Sequence, residues 1–289
     1  MIQRNAHAKI NLCLEVIARR DDGYHDIVSV MQLVDLHDTL TFSPADDLTV
    51  ECDDPSLAQG ETNLVWRAAR LLQESAGITS GAHIKLQKRI PTSAGLAGGS
   101  SDAAATLLGL CELWGLELSK GELRYLAAQL GSDVPFFLNG PTALVEGRGE
   151  RVTHLPVTLP GWAVLVCQPY DLPNKTQRLY SALKKQDMTD GNTTRQLVHT
   201  IIQEEFPRAD LLHNSFQRVA FSTFNGLDQT AQLMLKSSGR DAHLSGSGPT
   251  LYTLFTAAQR SRAQALHDTL QSANLNTYLT RLITTKPKP

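Results

Sequence analysis

Pro91-Thr92-Ser93-Ala94-Gly95-Leu96-Ala97-Gly98-Gly99-Ser100-Ser101 is the stretch on which the fold turns. Before it, residues 82–90 alternate apolar and polar side chains, the period of a strand with one buried face. After it, residues 100–114 are rich in Ala and Leu, which predicts a buried helix. Three glycines let the chain curl between them, and two hydroxyls lead into the helix. The first amides of a helix have no internal acceptor, and its dipole adds partial positive charge there, so this unit makes a phosphate cradle. No Gly-Lys-Ser/Thr closes the loop, so it is not a Walker A motif. The alternative is a flexible connection ending in a serine cap. The eleven-residue length between a strand and a long apolar helix favours phosphate.

Upstream, residues 8–16 alternate with period two, which puts Lys9 and Asn11 on the same non-core side, about 7 Å apart. A turn at Asp21-Asp22-Gly23 precedes expected strands at 27–36 and 48–52. A helix over 63–76 should end at Gly77 in a left-handed cap. Downstream, Ser119 and Glu122 form a capping box for a helix that stops at Gly131. Strands are expected at 142–145, 151–155 and 162–168. Beyond about 169, helices dominate at 177–184, 195–205, 210–224 and 228–237, with 187–194 a surface loop. Strand 242–244, loop 245–249, strand 250–256, helix 258–272 and strand 277–283 complete the chain, and the tail 286–289 should fray. Strands and helices mix without strict alternation, which predicts an α+β protein of two domains.

Composition narrows the function. The 289 residues carry 27 Lys+Arg against 29 Asp+Glu, a net charge of −2, which argues against nucleic acid as partner. Cys13, Cys52, Cys111 and Cys167 lie far apart with no C-x-x-C pair, so neither zinc nor dithiol chemistry is indicated and a reducing, cytoplasmic setting fits. No apolar run reaches the length of a membrane span, and Lys9, Asn11 and Glu15 interrupt any signal-peptide core. No residue set is assigned to metal.

Four further segments carry candidate chemistry. In Gly131-Ser132-Asp133-Val134-Pro135, Asp133 is either a helix cap or a general base for a hydroxyl. Lys9, if its strand packs beside the glycine-rich loop, would hold that carboxylate ionised and draw a hydroxyl towards a transferring phosphoryl group. Gly23-Tyr24-His25 is a hairpin corner or a base-recognition site, with Tyr24 stacking and His25 bonding a base edge. Ser245-Gly246-Ser247-Gly248-Pro249 is a hairpin turn or a second backbone approach to phosphates.

In this order the five segments resemble the GHMP kinase superfamily over nearly the whole chain. The pairing of Lys9-x-Asn11 with Gly-Tyr-His and Gly-Ser-Asp-Val-Pro resembles its cytidyl-sugar-alcohol kinases in particular. The resemblance implies an ATP-binding, catalytic domain over 1–160, like ribosomal protein S5 domain 2. It implies a ferredoxin-like domain over 161–289 that closes on substrate and phosphate. It further implies ATP as co-substrate with Mg²⁺, and phosphorylation of the 2-hydroxyl of 4-(cytidine 5′-diphospho)-2-C-methyl-D-erythritol in non-mevalonate isoprenoid synthesis. Homoserine, mevalonate or a sugar as acceptor, or a non-catalytic nucleotide binder, is the alternative. Carried over, Lys9 and Asp133 are the catalytic pair, and residues 91–101 with Gly246, Ser247 and Gly248 hold the nucleotide. Asn11, Tyr24, His25, Thr176 and Tyr180 hold the CDP-linked polyol, with Asn63 and Lys88 as adenine-pocket candidates. Ala94 and Ala97 stand where many relatives have glycine, and Asn214-Ser215-Phe216-Gln217 only partly matches the usual Asn-Asp-Leu-Glu. A monomer or homodimer is expected.

Overall fold

The alternation at the N-terminus extends into one long antiparallel pair, β1 (Ile2–Arg19) and β2 (His25–Ala45), whose partners run from Ile2↔Phe42 to Arg19↔His25 with register shifts at His7/Lys9, Asn11/Cys13 and Val16/Ala18. Both strands outrun the expected 8–16 and 27–36, because Ala6, Leu40 and Phe42 continue the buried face past those limits. The computed structural model describes residues 1–285 apart from Ser56, Ala58, Gln59 and Asp171, so the tail 286–289 lies outside the described residues.

The first half continues with β3 (Leu48–Cys52), α1 (Leu64–Ala76), β4 (Gly81–Gln87), α2 (Gly98–Trp114), α3 (Lys120–Leu130), β5 (Thr142–Gly147) and β6 (Arg151–His154). Its sheet runs β3-β4-β2-β5-β6 with β1 paired to β2. The three helices cover one face over a core of Phe42, Leu72, Ile84, Leu107 and Leu110. Gly109 of α2 lies where a Cβ would collide with the Phe42 ring, so the helix can sit close to the sheet. Gly77 takes the left-handed cap and Ser119 with Glu122 forms the capping box, both as the sequence predicts.

The chain changes sheet after β6. The remaining elements are β7 (Gly161–Val166), α4 (Lys175–Ala182), α5 (Asn192–Ile202), α6 (Gln217–Thr223), α7 (Leu227–Ser238), β8 (His243–Leu244), β9 (Leu251–Thr256), α8 (Arg260–Ser272) and β10 (Thr277–Arg281). The second sheet is antiparallel, in the order β10-β7-β9-β8. An α+β architecture on two sheets is therefore what the sequence predicts and what is found.

Residues 187–194 are not a surface loop: α5 already starts at Asn192, and Asp187, Gly191 and Thr194 are buried. Two further expectations need correction. The helix over 210–224 is a short 3-10 turn (Ala209–Leu211) followed by α6. Asn214 interrupts it: its amide donates to the carbonyls of Leu244 and Gly246, and its oxygen accepts from Phe216 N–H. Long-range bonds of this kind outweigh local helix preference. Secondly, the Lys9/Asn11 face of β1 is buried, not solvated, with Lys9 only 3% exposed. That face is covered by Asp133, 3.8 Å from Lys9 Nζ, and by the loop at Gly246; the second sheet packs on the opposite face of β1 through Ile10, Leu12, Leu165 and Tyr252, and Tyr252 donates to the Asn11 carbonyl at 2.9 Å. β1 is thus covered on both sides, at the seam between the two halves.

Candidate active site

At that seam lies a cleft of about 1740 Å³, lined by the 91–100 loop, the β1–β2 turn, Asp133, the start of α4 and Gly246-Ser247. The glycine-rich loop enters α2 through Ala97, whose φ of 55° is left-handed and whose side chain caps nothing. Amides at the first turn of α2 consequently face the cleft without a protein cap, in the arrangement that binds anions. Gly95 has φ 86°, and a Cβ there would meet the Ser245 carbonyl and come within 3.1 Å of Gly248 N. The two glycine-rich loops therefore touch backbone to backbone. Ser245 Oγ donates to the Gly95 carbonyl at 3.1 Å, and Thr250 N–H to that of Ala94 at 3.2 Å.

Two members of the expected nucleotide loop turn away. Leu96 and Ser101 are buried, Leu96 packing in the core between the sheets, since the helical turn that aims Ser100 outwards carries its neighbour inwards. Leu96 contributes its carbonyl, which accepts from Lys9 N–H at 3.1 Å. Gly248 does not line the cleft either; its carbonyl accepts from Lys175.

Lys9 and Asp133, 124 residues apart in sequence, meet beneath these loops with Nζ 3.8 Å from Oδ2. Asp133 opens a 3-10 turn (Val134–Leu138) yet its side chain caps nothing, which leaves the carboxylate to the cleft. The Lys9 ammonium donates to Asn11 Oδ1 at 2.5 Å; Asn11 donates to Ser29 Oγ at 2.8 Å, and Ser29 to the Cys13 carbonyl at 2.6 Å. This chain fixes the orientation of the Asn11 amide, with its oxygen on the lysine. Burial lowers the Lys9 pKa, and the Asp133 charge opposes that shift. Gly246 has φ 57°, and a Cβ there would come within 3.1 Å of the Gly95 carbonyl oxygen, so the close approach of the third motif to the first loop favours glycine.

Lys175 was not singled out in the sequence. Its ammonium reaches across both loops, donating to the Ser93 carbonyl at 2.5 Å and to that of Gly248. Burial, with Lys9 nearby, pulls its pKa down to about 8. One signal was available: α4 starts on a lysine with no acid in its first turn, opposite to the preference of the helix dipole. Next to it, Thr176 Oγ1 lies 3.3 Å from Ser247 Oγ.

Lys88 and Asn63 both line the cleft. Asn63 caps α1 by accepting from Val65 N–H at 2.9 Å. Lys88 donates to Asp38 at 2.5 Å and Asp102 at 2.8 Å, joining β2, the end of β4 and α2. Asp38 also accepts from Arg89 N–H and Ile90 N–H. Burial pushes the Asp102 pKa up to about 8 against the pull of Lys88, and Asp102 Oδ1 has no partner.

At the other end of the cleft, Tyr24 is 57% exposed with the Arg148 guanidinium 4.8 Å over its ring. His25 stacks directly on Tyr180, centroids 4.8 Å apart at 25°, and Tyr180 in turn meets Phe216 edge-on. With no room for a base between those two rings, the edge of His25 is the part left for recognition. Burial, with Arg19, lowers the His25 pKa, favouring the neutral ring that both donates and accepts.

The GHMP kinases N terminal domain matches residues 63–141. A 4-diphosphocytidyl-2-C-methyl-D-erythritol kinase of Dehalococcoides mccartyi is 39% identical over 280 residues, 96% of this chain and 97% of the relative. One of Symbiobacterium thermophilum is 44% identical over 252 residues, covering 85% and 87%. A crystal structure of 4-(cytidine 5'-diphospho)-2C-methyl-D-erythritol kinase shares 33% identity and superposes with a TM-score of 0.81 over 97% of this chain and 99% of the other. Homoserine kinase from Cytophaga hutchinsonii, at 20% identity and TM-score 0.72, shares the fold.

Proposed function

This chain belongs to the 4-diphosphocytidyl-2-C-methyl-D-erythritol kinase family of the GHMP kinases, and on that premise we propose that it transfers the γ-phosphoryl group of ATP to the 2-hydroxyl of 4-diphosphocytidyl-2-C-methyl-D-erythritol. The observation that carries the reading is the Lys9–Asp133 separation of 3.8 Å. A direct charged hydrogen bond would be about 2.7–2.9 Å. One hydroxyl oxygen, at about 2.8 Å from each, spans the wider gap.

Asp133 accepts the proton of that hydroxyl, and Lys9, held by Asn11, stabilises the oxygen as it attacks. The triphosphate lies along Gly95–Ser100 at the N-terminus of α2, under the Gly246-Ser247 backbone. Lys175 adds a second ammonium between the two loops, where charge accumulates on the transferring group. His25 bonds the cytosine edge while Tyr24, backed by Arg148, offers a ring face. Thr176 and Tyr180 close the same end.

Mg²⁺ takes oxygen donors. The Ser100 hydroxyl in the first turn of α2 and the unpartnered Asp102 Oδ1 just beyond that turn, both from residues that line the cleft, fit that requirement. These two would hold the ion, which supplies neutralisation of phosphate charge. We further place the domain boundary at 160/161, where the chain leaves one sheet for the other. No helix of the described residues is long and apolar enough to cross a membrane; a cytoplasmic monomer or homodimer is the corresponding proposal.

The test is ADP release with ATP, Mg²⁺ and a panel of acceptors. Turnover confined to the cytidyl substrate, and lost with its uridyl analogue, supports the reading. Turnover of homoserine or mevalonate instead, or equal use of both nucleobases, contradicts it.

A further inference from the structure

Away from the cleft, the β1–β2 pair carries a cluster that the kinase reaction does not use. His7 and His37 stand opposite each other, and the next pair is Lys9↔Leu33. Between these pairs, residues 34–36 of β2 face Ala8 alone, so the strand bulges there. The bulge swings Asp35 towards the two imidazoles, with its Oδ1 3.9 Å from His7 Nδ1 and 3.9 Å from His37 Nδ1. The ring centroids are 5.1 Å apart.

We propose that His7, Asp35 and His37 bind a borderline divalent cation of the Zn²⁺ type. One donor atom from each lies within 4.8 Å of the others, the one such group of three or more among the described residues. Tetrahedral Zn²⁺, with bonds of about 2.0 Å, needs its donors about 3.3 Å apart. Side-chain rotations that move each donor by about an ångström close the site. Independently of that spacing, His7 is only 8% exposed, and its Nδ1 has no hydrogen-bond partner. A buried imidazole nitrogen left unpaired beside a carboxylate is a vacancy in bonding terms that a cation fills.

The surroundings suit the role. Arg281 of β10 holds Asp35 Oδ2 at 3.2 Å and leaves Oδ1 for the metal. His37 Nδ1–H donates to the Asp35 carbonyl oxygen at 2.8 Å, which holds the ring against the bulge and leaves Nε2 as the nitrogen for the metal. Two imidazoles and one carboxylate select Zn²⁺, or Cu²⁺ and Ni²⁺, over the oxygen-seeking Mg²⁺. The ion would be distinct from any that accompanies ATP. It would tie β1 to the β2 bulge two residues before Lys9.

Full-length protein stripped with a chelator, then titrated with Zn²⁺ alone at pH 7.5 by calorimetry, tests this. We expect one equivalent bound with a Kd of about 10 µM or tighter. Asp35→Asn and His37→Gln, at part-exposed positions where the fold tolerates change, should each weaken binding by at least about tenfold. Replacement of Zn²⁺ by Co²⁺ should give visible absorption of a four- or five-coordinate ion, lost in His37→Gln. Affinity unchanged in His267→Gln, a His–Asp pair on α8, confirms the location. Weaker or non-saturable Zn²⁺ binding, or equal affinity in wild type, Asp35→Asn and His37→Gln, overturns the proposal.

Discussion

Two lysine–aspartate groups border the same cleft and are built in opposite ways. Lys88 holds Asp38 and Asp102 at 2.5 and 2.8 Å, its ammonium shared between two carboxylates. Lys9 stands 3.8 Å from Asp133, its nearest hydrogen bond going to neutral Asn11. The first commits its ammonium to two carboxylates and fastens α2 to the sheet. The second leaves a gap the size of an oxygen atom. Proximity to the cleft does not separate structural from chemical residues; the number of donors already committed does.

The contrast breaks most visibly at Lys88. Lys88→Met leaves two buried carboxylates facing each other, and losing one partner of a buried ion pair costs about 3–5 kcal/mol. A thermal melt should show a drop of roughly 6 °C or more; an unchanged melt would mean the triad is not structural. Lys9→Met should do the reverse. The lowered Lys9 pKa says that the fold gains nothing from that buried charge, so the melt should hold while kcat falls by about 10²–10³. Loss of folding with kcat per folded molecule intact would dissolve the distinction.

Lys175 sharpens it further. Its pKa of about 8 leaves it part neutral at pH 8–9, whereas a bound triphosphate favours the charged form. Its pKa then rises, and ATP binding should take up protons in that window, with affinity falling as pH passes upward through about 8. Calorimetry in buffers of different ionisation enthalpy measures the uptake. Lys175→Met should abolish it and weaken ATP by about 1.5–3 kcal/mol; uptake that persists would remove Lys175 from the phosphate site. The smallest effect belongs to Ala97, whose left-handed φ of 55° costs a non-glycine residue about 1–2 kcal/mol. Ala97→Gly should raise the melting temperature by about 2–4 °C; no rise would mean that the loop relieves this strain otherwise.

Local patterns carried the parts of the fold that are local in origin. The alternation in β1 and β4, the cap at Gly77 and the strand–glycine loop–helix unit all follow from a few neighbouring residues. Helix 210–224 was misjudged because Asn214 answers to Leu244 and Gly246, thirty residues away. The meeting of Lys9 with Asp133 was legible through family resemblance; periodicity alone placed Lys9 on a solvated face, since nothing in β1 tells of the distant Asp133 and Gly246 segments that cover it. The Lys175 strap and the His7–Asp35–His37 cluster each join segments through a loop crossing or a bulge, and neither has a period for sequence to display.

The most direct test of the open pair is ADP release by Asp133→Asn with ATP and 4-diphosphocytidyl-2-C-methyl-D-erythritol both saturating, and ATP affinity measured alongside. The account requires turnover to fall by about 10²–10⁴ while ATP binds within a few-fold of wild type. Turnover near the wild-type rate would contradict it, because the hydroxyl proton would then be leaving by another route.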